Sequence, residues 1–321
     1  MKKVILTTII TLMSAVSLQA QVSDNPDTLV VARDGTGQFR NIDEALEVCR
    51  AFMEYHKVIY VKKGIYKEKL ILPSWLTNVE ICGEDRDNTI ITYDDHANIK
   101  SDEIHSKSQK IGTFRTYTLR IDGTDITVKN ITIENNAPRL GQAVALHTEG
   151  NRIKFLNCRF LGNQDTVYTG RGETTLLFKD CYIEGTTDFI FGPSTAWFEN
   201  CDIHCKVNSY ITAASTPQNV TYGYIFNNCR VTLAPEVTKM CLGRPWRTYA
   251  HTVFMNCELP KGIAPGGWND WKKDVKLVRY AEYNNRGEGA QPDKRVEWSR
   301  QLTKKEAKEL TIANVLGKWA E

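Results

Sequence analysis

The sequence predicts an all-β chain wound as a parallel β-helix with short helices at its ends, and three observations carry that expectation. A phrase built around cysteine recurs every 20 to 28 residues through the middle of the chain. Within each phrase apolar and polar residues alternate at period two. The stretches before and after the repeats have helical rather than strand spacing.

The repeated phrases are FLNCRF ending at Phe160, FKDCYI at Ile183, FENCDI at Ile203, FNNCRV at Val231 and FMNCEL at Leu259. Weaker echoes surround Cys82 (VEICGE) and Ile131 (VKNITIEN). The steps between the five cysteines, Cys158 to Cys257, are 23, 20, 28 and 28 residues. A unit of that size cannot bury its own apolar face, so copies must stack as a solenoid. Richness in Val, Ile, Phe and Thr argues against helical solenoids, and the leucine framework of leucine-rich repeats is missing. In a coil of strands each cysteine lies inside, above that of the preceding turn, as a small interior hydrophobe. Cys181 and Cys201, on consecutive turns, are the best-placed pair for a disulfide.

The ends read differently. Asn41 to Tyr55 (NIDEALEVCRAFMEY) has helical spacing and is expected to cap one end of the coil. Gln301 to Gly317 offers Thr303 as an N-cap with Glu306 three residues on, then a lysine-rich helix capping the other end. Residues 1–20 have a basic start at Lys2 and Lys3, an apolar run and a small residue at Ala20. That is the layout of a signal peptide, cleaved near Ala20 and leaving residues 21–321 as one β-helix domain. The expected product is a soluble monomer, periplasmic or secreted.

Composition excludes more than it assigns. The 321 residues are 41% hydrophobic and 25% charged, ordinary for a globular chain. Of the net charge of +3, two units belong to Lys2 and Lys3, so nothing points to nucleic acid or a membrane surface. Nine cysteines suit an oxidising compartment, but the number is odd and no CxxC occurs. The six histidines fall in no metal-ligand spacing, so neither a metal nor a cofactor is expected. No GxSxG marks a serine-hydrolase elbow, and GTGQF at Gly35 lacks the Lys-Ser/Thr of a phosphate loop.

The chemistry is expected from an offset. Asp165 follows Cys158 by seven residues and Asp188 follows Cys181 by seven; stepping back 23 from Asp165 gives Gln142. If 23 residues make a turn here, the three form a column with turns about 4.8 Å apart. Two carboxyls that close do not both ionise easily, which leaves one neutral acid beside one carboxylate. Such a pair suits general acid catalysis with a nucleophile or base, and the amide of Gln142 suits an oxyanion. Asp also commonly ends strands, but NQDTVY and TTDFIFG are apolar and aromatic for exposed turns. In LGRPW, Arg244 suits a carboxylate, the substrate's or that of Asp188, and Trp246 suits a sugar ring. The competing reading of LGRPW is a Pro-stiffened loop with a buried Trp. Column geometry alone leaves an ester and a glycosidic bond equally open.

Five motifs in order, GIYKE at Gly64, GQAVAL at Gly141, NQDTVY at Asn163, DFIFG at Asp188 and LGRPW at Leu242, resemble the pectin methylesterases. The likeness runs from about Val30 to Leu316. It implies a right-handed coil and removal of methyl esters from polygalacturonate by a secreted enzyme of bacterial type. It implies Asp165 as acid and base, Asp188 as nucleophile, and Gln142 and Gln164 at the oxyanion. Arg244, Trp246 and Thr113 would contact substrate, with Arg244 steadying Asp188, and Cys181–Cys201 would be the family's disulfide. Val167 departs from a more frequent Leu in QDT-L-Y. The stretch from Gln21 to Val30 leaves no room for the inhibitory region that plant members often carry. The alternatives are another β-helix pectin-degrading enzyme, a polygalacturonase or lyase, and a non-catalytic solenoid that binds polysaccharide.

Overall fold

The structure is a computed structural model that describes residues 27–101 and 109–321; the expected signal peptide lies outside the described residues. Three parallel sheets run the length of a right-handed parallel β-helix. The first has eleven strands, from Thr28–Val31 to Arg300–Gln301. The second has seven, from Gly64–Lys67 to Arg230–Leu233, and the third seven, from Leu70–Leu72 to Cys241–Gly243. Consecutive strands of a sheet come from consecutive turns, so every backbone ladder links neighbours of the repeat. Among the described residues no helix is long and apolar enough to cross a membrane.

The repeated phrase maps onto one corner of the coil. Its aromatic residue ends a strand of the first sheet and its last residues open a strand of the second. Between them Asn130, Asn157, Asp180, Asn200, Asn228, Asn256 and Asn284 all take φ between 48° and 56°. Asn and Asp tolerate this left-handed backbone better than other side chains do, which is why the phrase places them before its cysteine. Their side chains bond along the axis, as in Asn157 Nδ2 to Asn130 Oδ1 at 2.9 Å and Asn284 Nδ2 to Asn256 Oδ1 at 2.9 Å.

Two interior ladders follow. Phe155, Phe178, Phe198, Phe226 and Phe254 stack with centroid separations of 4.6, 4.7, 4.3 and 4.3 Å. Register places Arg159 opposite Tyr182, Tyr182 opposite Asp202, and Asp202 opposite Arg230, so Cys158, Cys181, Cys201 and Cys229 align, as expected. All are buried. The disulfide expected between Cys181 and Cys201 is not formed: both are free thiols. The thiols share one direction into the core, and each is satisfied by carbonyls. Cys181 Sγ lies 3.4 Å from Phe155 O, and Cys201 Sγ lies 3.4 Å from Glu199 O. Burial in this stack pushes the thiols of Cys158, Cys201 and Cys257 well up.

Both end helices differ from expectation. The first is only Ile42–Glu47, burying Ile42, Ala45 and Leu46 over the end of the core. Phe52 turns left-handed at φ 54°, and its N–H bonds Trp75 O at 2.7 Å, which pulls the chain off the helical path. At the other end Thr303 and Glu306 make the expected capping box, but the helix stops at Glu309. Thr311 caps a second helix, Ile312–Leu316, by accepting from Asn314 N. The pair does not cap the coil's end. Val315, Leu316 and Ala320 instead pack on the outer face of the first sheet, against Leu177, Trp197, Ile225 and Val253.

Candidate active site

The third sheet presents an outward row of residues set by strand register. His147 lies opposite Arg120 and Tyr168, Tyr168 opposite Phe191, and Phe191 opposite Ala213. At the start of these strands the chain turns left-handed at two equivalent places, Asp165 at φ 67° and Asp188 at φ 50°. Val167 pairs with Ile190, so the 23-residue step between the two aspartates is that of the coil. Asp165 N donates to Thr187 O at 3.1 Å and Asp188 N to Tyr210 O at 2.9 Å, which fixes both turns alike. Asp tolerates this left-handed backbone, as Asp180 does at the asparagine corner, so both turns form without a glycine.

Two glycines let the turns close up. A Cβ on Gly192, at φ 130°, would stand 2.1 Å from Thr169 O, and one on Gly243 would stand 2.0 Å from Thr212 Oγ1. Those contacts explain the terminal Gly of DFIFG and the Gly of LGRPW. Only without a side chain can the next turn lie at strand spacing.

The two carboxyls sit in unequal surroundings. Asp188 is 6% exposed and takes a bidentate pair from Arg244, Nε to Oδ1 at 2.9 Å and Nη2 to Oδ2 at 2.6 Å. Asp165 is 8% exposed, and its carboxyl has no hydrogen-bond or ion-pair partner among the described residues. Burial pushes the Asp165 carboxyl well above the usual carboxylate range, and the charge of Asp188 pushes the same way against Arg244. Asp188 is raised as well, by burial, though Arg244 and then Lys273 oppose it. Arg244 therefore makes Asp188 the readier of the two to ionise and leaves Asp165 the readier to keep its proton.

The cleft above them, about 250 Å³, is lined by every non-cysteine residue expected from sequence: Thr113, Gln142, Gln164, Asp165, Asp188, Arg244 and Trp246. Thr113 begins a short 3-10 turn, Thr113–Arg115, that leans over the cleft. The side-chain amides of Gln142 and Gln164 have no protein partner among the described residues, so they are free to donate to a bound molecule. The expected column needs one correction. Leu146 pairs with Val167, a step of 21 rather than 23, and Ala143 N donates to Gln164 O at 3.0 Å. Gln142 thus stands beside Gln164 rather than in register with Asp165, because this turn is shorter than the next.

Four lining residues were not singled out from sequence: Phe114, Phe191, Ala213 and Trp271. Phe114 and Phe191 lie within or beside the quoted motifs, so an aromatic next to a site residue was the available signal. Trp271 stands in a loop, and no periodicity marks it. A larger groove of about 440 Å³, on the corner with the asparagine ladder, has its charges already paired, as in Arg230 with Asp202 at 2.8 and 3.0 Å. It offers no pair of unequal carboxyls.

Comparison with known proteins agrees with this geometry. The profile of the pectinesterase family matches residues 28–318. Pectinesterase 31 of Arabidopsis thaliana is 36% identical over 283 residues, covering 86% of this chain and 88% of its own length. A probable pectinesterase/pectinesterase inhibitor of Brassica napus is 35% identical over 90% of this chain, which spans only 51% of that relative. Among solved structures, pectin methylesterase from carrot superposes with a TM-score of 0.83 at 30% identity, over 90% of this chain and 93% of that one. Pectin methylesterase PemA from Erwinia chrysanthemi gives 0.79 at 29% identity, over 92% and 98%.

Proposed function

The chain belongs to the pectinesterase family, carboxylic ester hydrolases that demethylate pectin, and we propose that it does so through an acyl-enzyme on Asp188 with Asp165 as acid and base. The Asp188 carboxylate attacks the methyl ester carbonyl of a galacturonate unit lying in the cleft. Gln142 and Gln164 donate to the oxyanion that forms. The neutral Asp165 gives its proton to the departing methanol, leaving galacturonate joined to Asp188 as an anhydride. Asp165, now a carboxylate, takes a proton from water, and the resulting attack on the galacturonate carbonyl frees the Asp188 carboxylate. The sum is ester and water to acid and methanol, and every step is acyl or proton transfer.

The observation that carries this reading is the inequality of the two carboxyls. Arg244 grips Asp188 in two places while the buried Asp165 carboxyl has no hydrogen-bond or ion-pair partner among the described residues. Thr113 and Trp246 contact the polymer, the indole against a sugar ring. The chain acts as a monomer, exported after loss of residues 1–20. Asp188→Asn is expected to lower methanol release from methyl-esterified pectin by about 10⁴-fold or more, with the same melting behaviour as the parent. Near-normal release from that variant would sink the scheme. Shorter or unsaturated oligomers among the products would replace the esterase reading with a chain-cleaving one.

A further inference from the structure

The guanidinium that grips Asp188 is itself gripped between two rings. Arg244 Cζ lies 4.1 Å from the centroid of Tyr210 and 3.6 Å from that of Trp271. Two rings that close cannot share one face of the guanidinium, so they enclose it. Its edge is left pointing at the Asp188 carboxylate.

The two rings reach it by different routes. Tyr210 opens the strand between the turn of Asp188 and the turn of Arg244: Asp188 N donates to Tyr210 O, and Tyr210 pairs with Cys241. Trp271 comes from a loop outside the sheets, where Trp271 and Lys272 both take left-handed backbone, at φ 53° and 54°. Asn269 Oδ1 accepts from Trp271 N at 2.8 Å, and Asp270 Oδ1 from Lys272 N at 2.8 Å, which holds that backbone in place. Lys273 then ties the loop to the segment carrying Arg244. Its Nζ lies 4.2 Å over the Trp271 ring and donates to Pro245 O and Trp246 O at 3.0 Å each. A bulky aromatic in left-handed backbone is unfavourable by itself, and its persistence here is explained by what the ring does.

We propose that Tyr210 and Trp271 are positioning residues for the esterase reaction, clamping the Arg244 guanidinium in the plane of the Asp188 carboxylate so that the nucleophile keeps its aim and its charge. The proposal rests on the reading of Asp188 as nucleophile. A free arginine side chain has many rotamers, and stacking between rings removes that freedom before substrate arrives. Tyr210 does not line the cleft whereas Trp271 does, so Tyr210 separates positioning from contact with the sugar. Arg244 and Lys273 are the charged groups that act on Asp188, and the clamp holds both; the charge of Asp188 acts in turn on Asp165.

The test is the pH dependence of kcat and KM for methanol release by Tyr210→Leu, Tyr210→Phe, Trp271→Leu and Trp271→Phe, with Asp188→Asn as control. Tyr210→Leu should lower kcat about tenfold with KM within about twofold of the parent. Its acid limb should move to higher pH, because a carboxylate less well gripped by Arg244 holds its proton more tightly. Tyr210→Phe keeps the ring and should restore both. Trp271→Leu should show the same limb shift with a raised KM, and it carries the test if Tyr210→Leu does not fold. A parent-like kcat and acid limb in both leucine variants overturns the clamp, as does a loss that phenylalanine does not repair. If Asp188→Asn still releases methanol, the nucleophile reading fails instead, and the clamp falls with it.

Discussion

Two outer faces of the same coil have opposite fates. On the first sheet an outward row, Leu177, Trp197, Ile225 and Val253, is aligned by register and roofed by the C-terminal helices. On the third sheet the equivalent row, His147, Tyr168, Phe191 and Ala213, leads to the two aspartates and lies beside an open cleft. A parallel coil delivers one such row per sheet at no extra cost, since register repeats at every turn. What makes one row structure and the other a site is whether the chain supplies its own cover. The roofed row is purely apolar. The open row ends at two buried carboxyls and a guanidinium, groups whose unequal charge states are useful only with a molecule between them.

The largest effect is expected on the open face. Asp165→Asn should lower kcat by about 10²–10⁴-fold, the range for losing a general acid, measured as methanol release. Next comes the roofed face. Trp197 is 2% exposed, and Trp197→Ala should cost about 3–5 kcal/mol in chemical denaturation while kcat per folded molecule stays at the parent value. Loss of activity without loss of stability in that variant would mean the two faces are coupled.

A smaller effect sharpens the contrast by sign. The folded-state pKa of Asp165 is raised, chiefly by burial. Its contribution to stability is therefore fully present below the unfolded value of about 3.9 and is lost as pH rises through the folded value. Asp165→Asn removes that titration, so its melting temperature should exceed the parent's by a margin that grows with pH above the unfolded value. A margin independent of pH would show that ionisation at Asp165 is not the source of strain. The smallest effect is at the roof's entrance. Thr303→Ala breaks the capping box with Glu306 and should cost about 1 kcal/mol, with unchanged kcat and KM.

Legibility in the sequence followed the range of the interactions. The Phe and Cys ladders were readable because each rung is a local phrase repeated at turn length. The Thr303 cap was readable because a cap spans four residues. The break at Thr311 was less visible, since a β-branched N-cap inside a lysine-rich run competes with a continuous helical pattern. Trp271 was not readable as part of the site: its loop belongs to no period, and its ring matters only because Arg244 lies under it.

The amino-acid sequence by itself determined the coil, the stacked interior and the identity of the paired aspartates, because a repeat must bury the same positions at every turn. Tertiary structure decided the rest. It took Gln142 out of the 23-residue column, left Cys181 and Cys201 as separate thiols, laid the final helices over the first sheet and closed two rings on Arg244. Each of these depends on where distant segments meet, and a loop's length or a ring's resting place is fixed by contacts that no local pattern encodes.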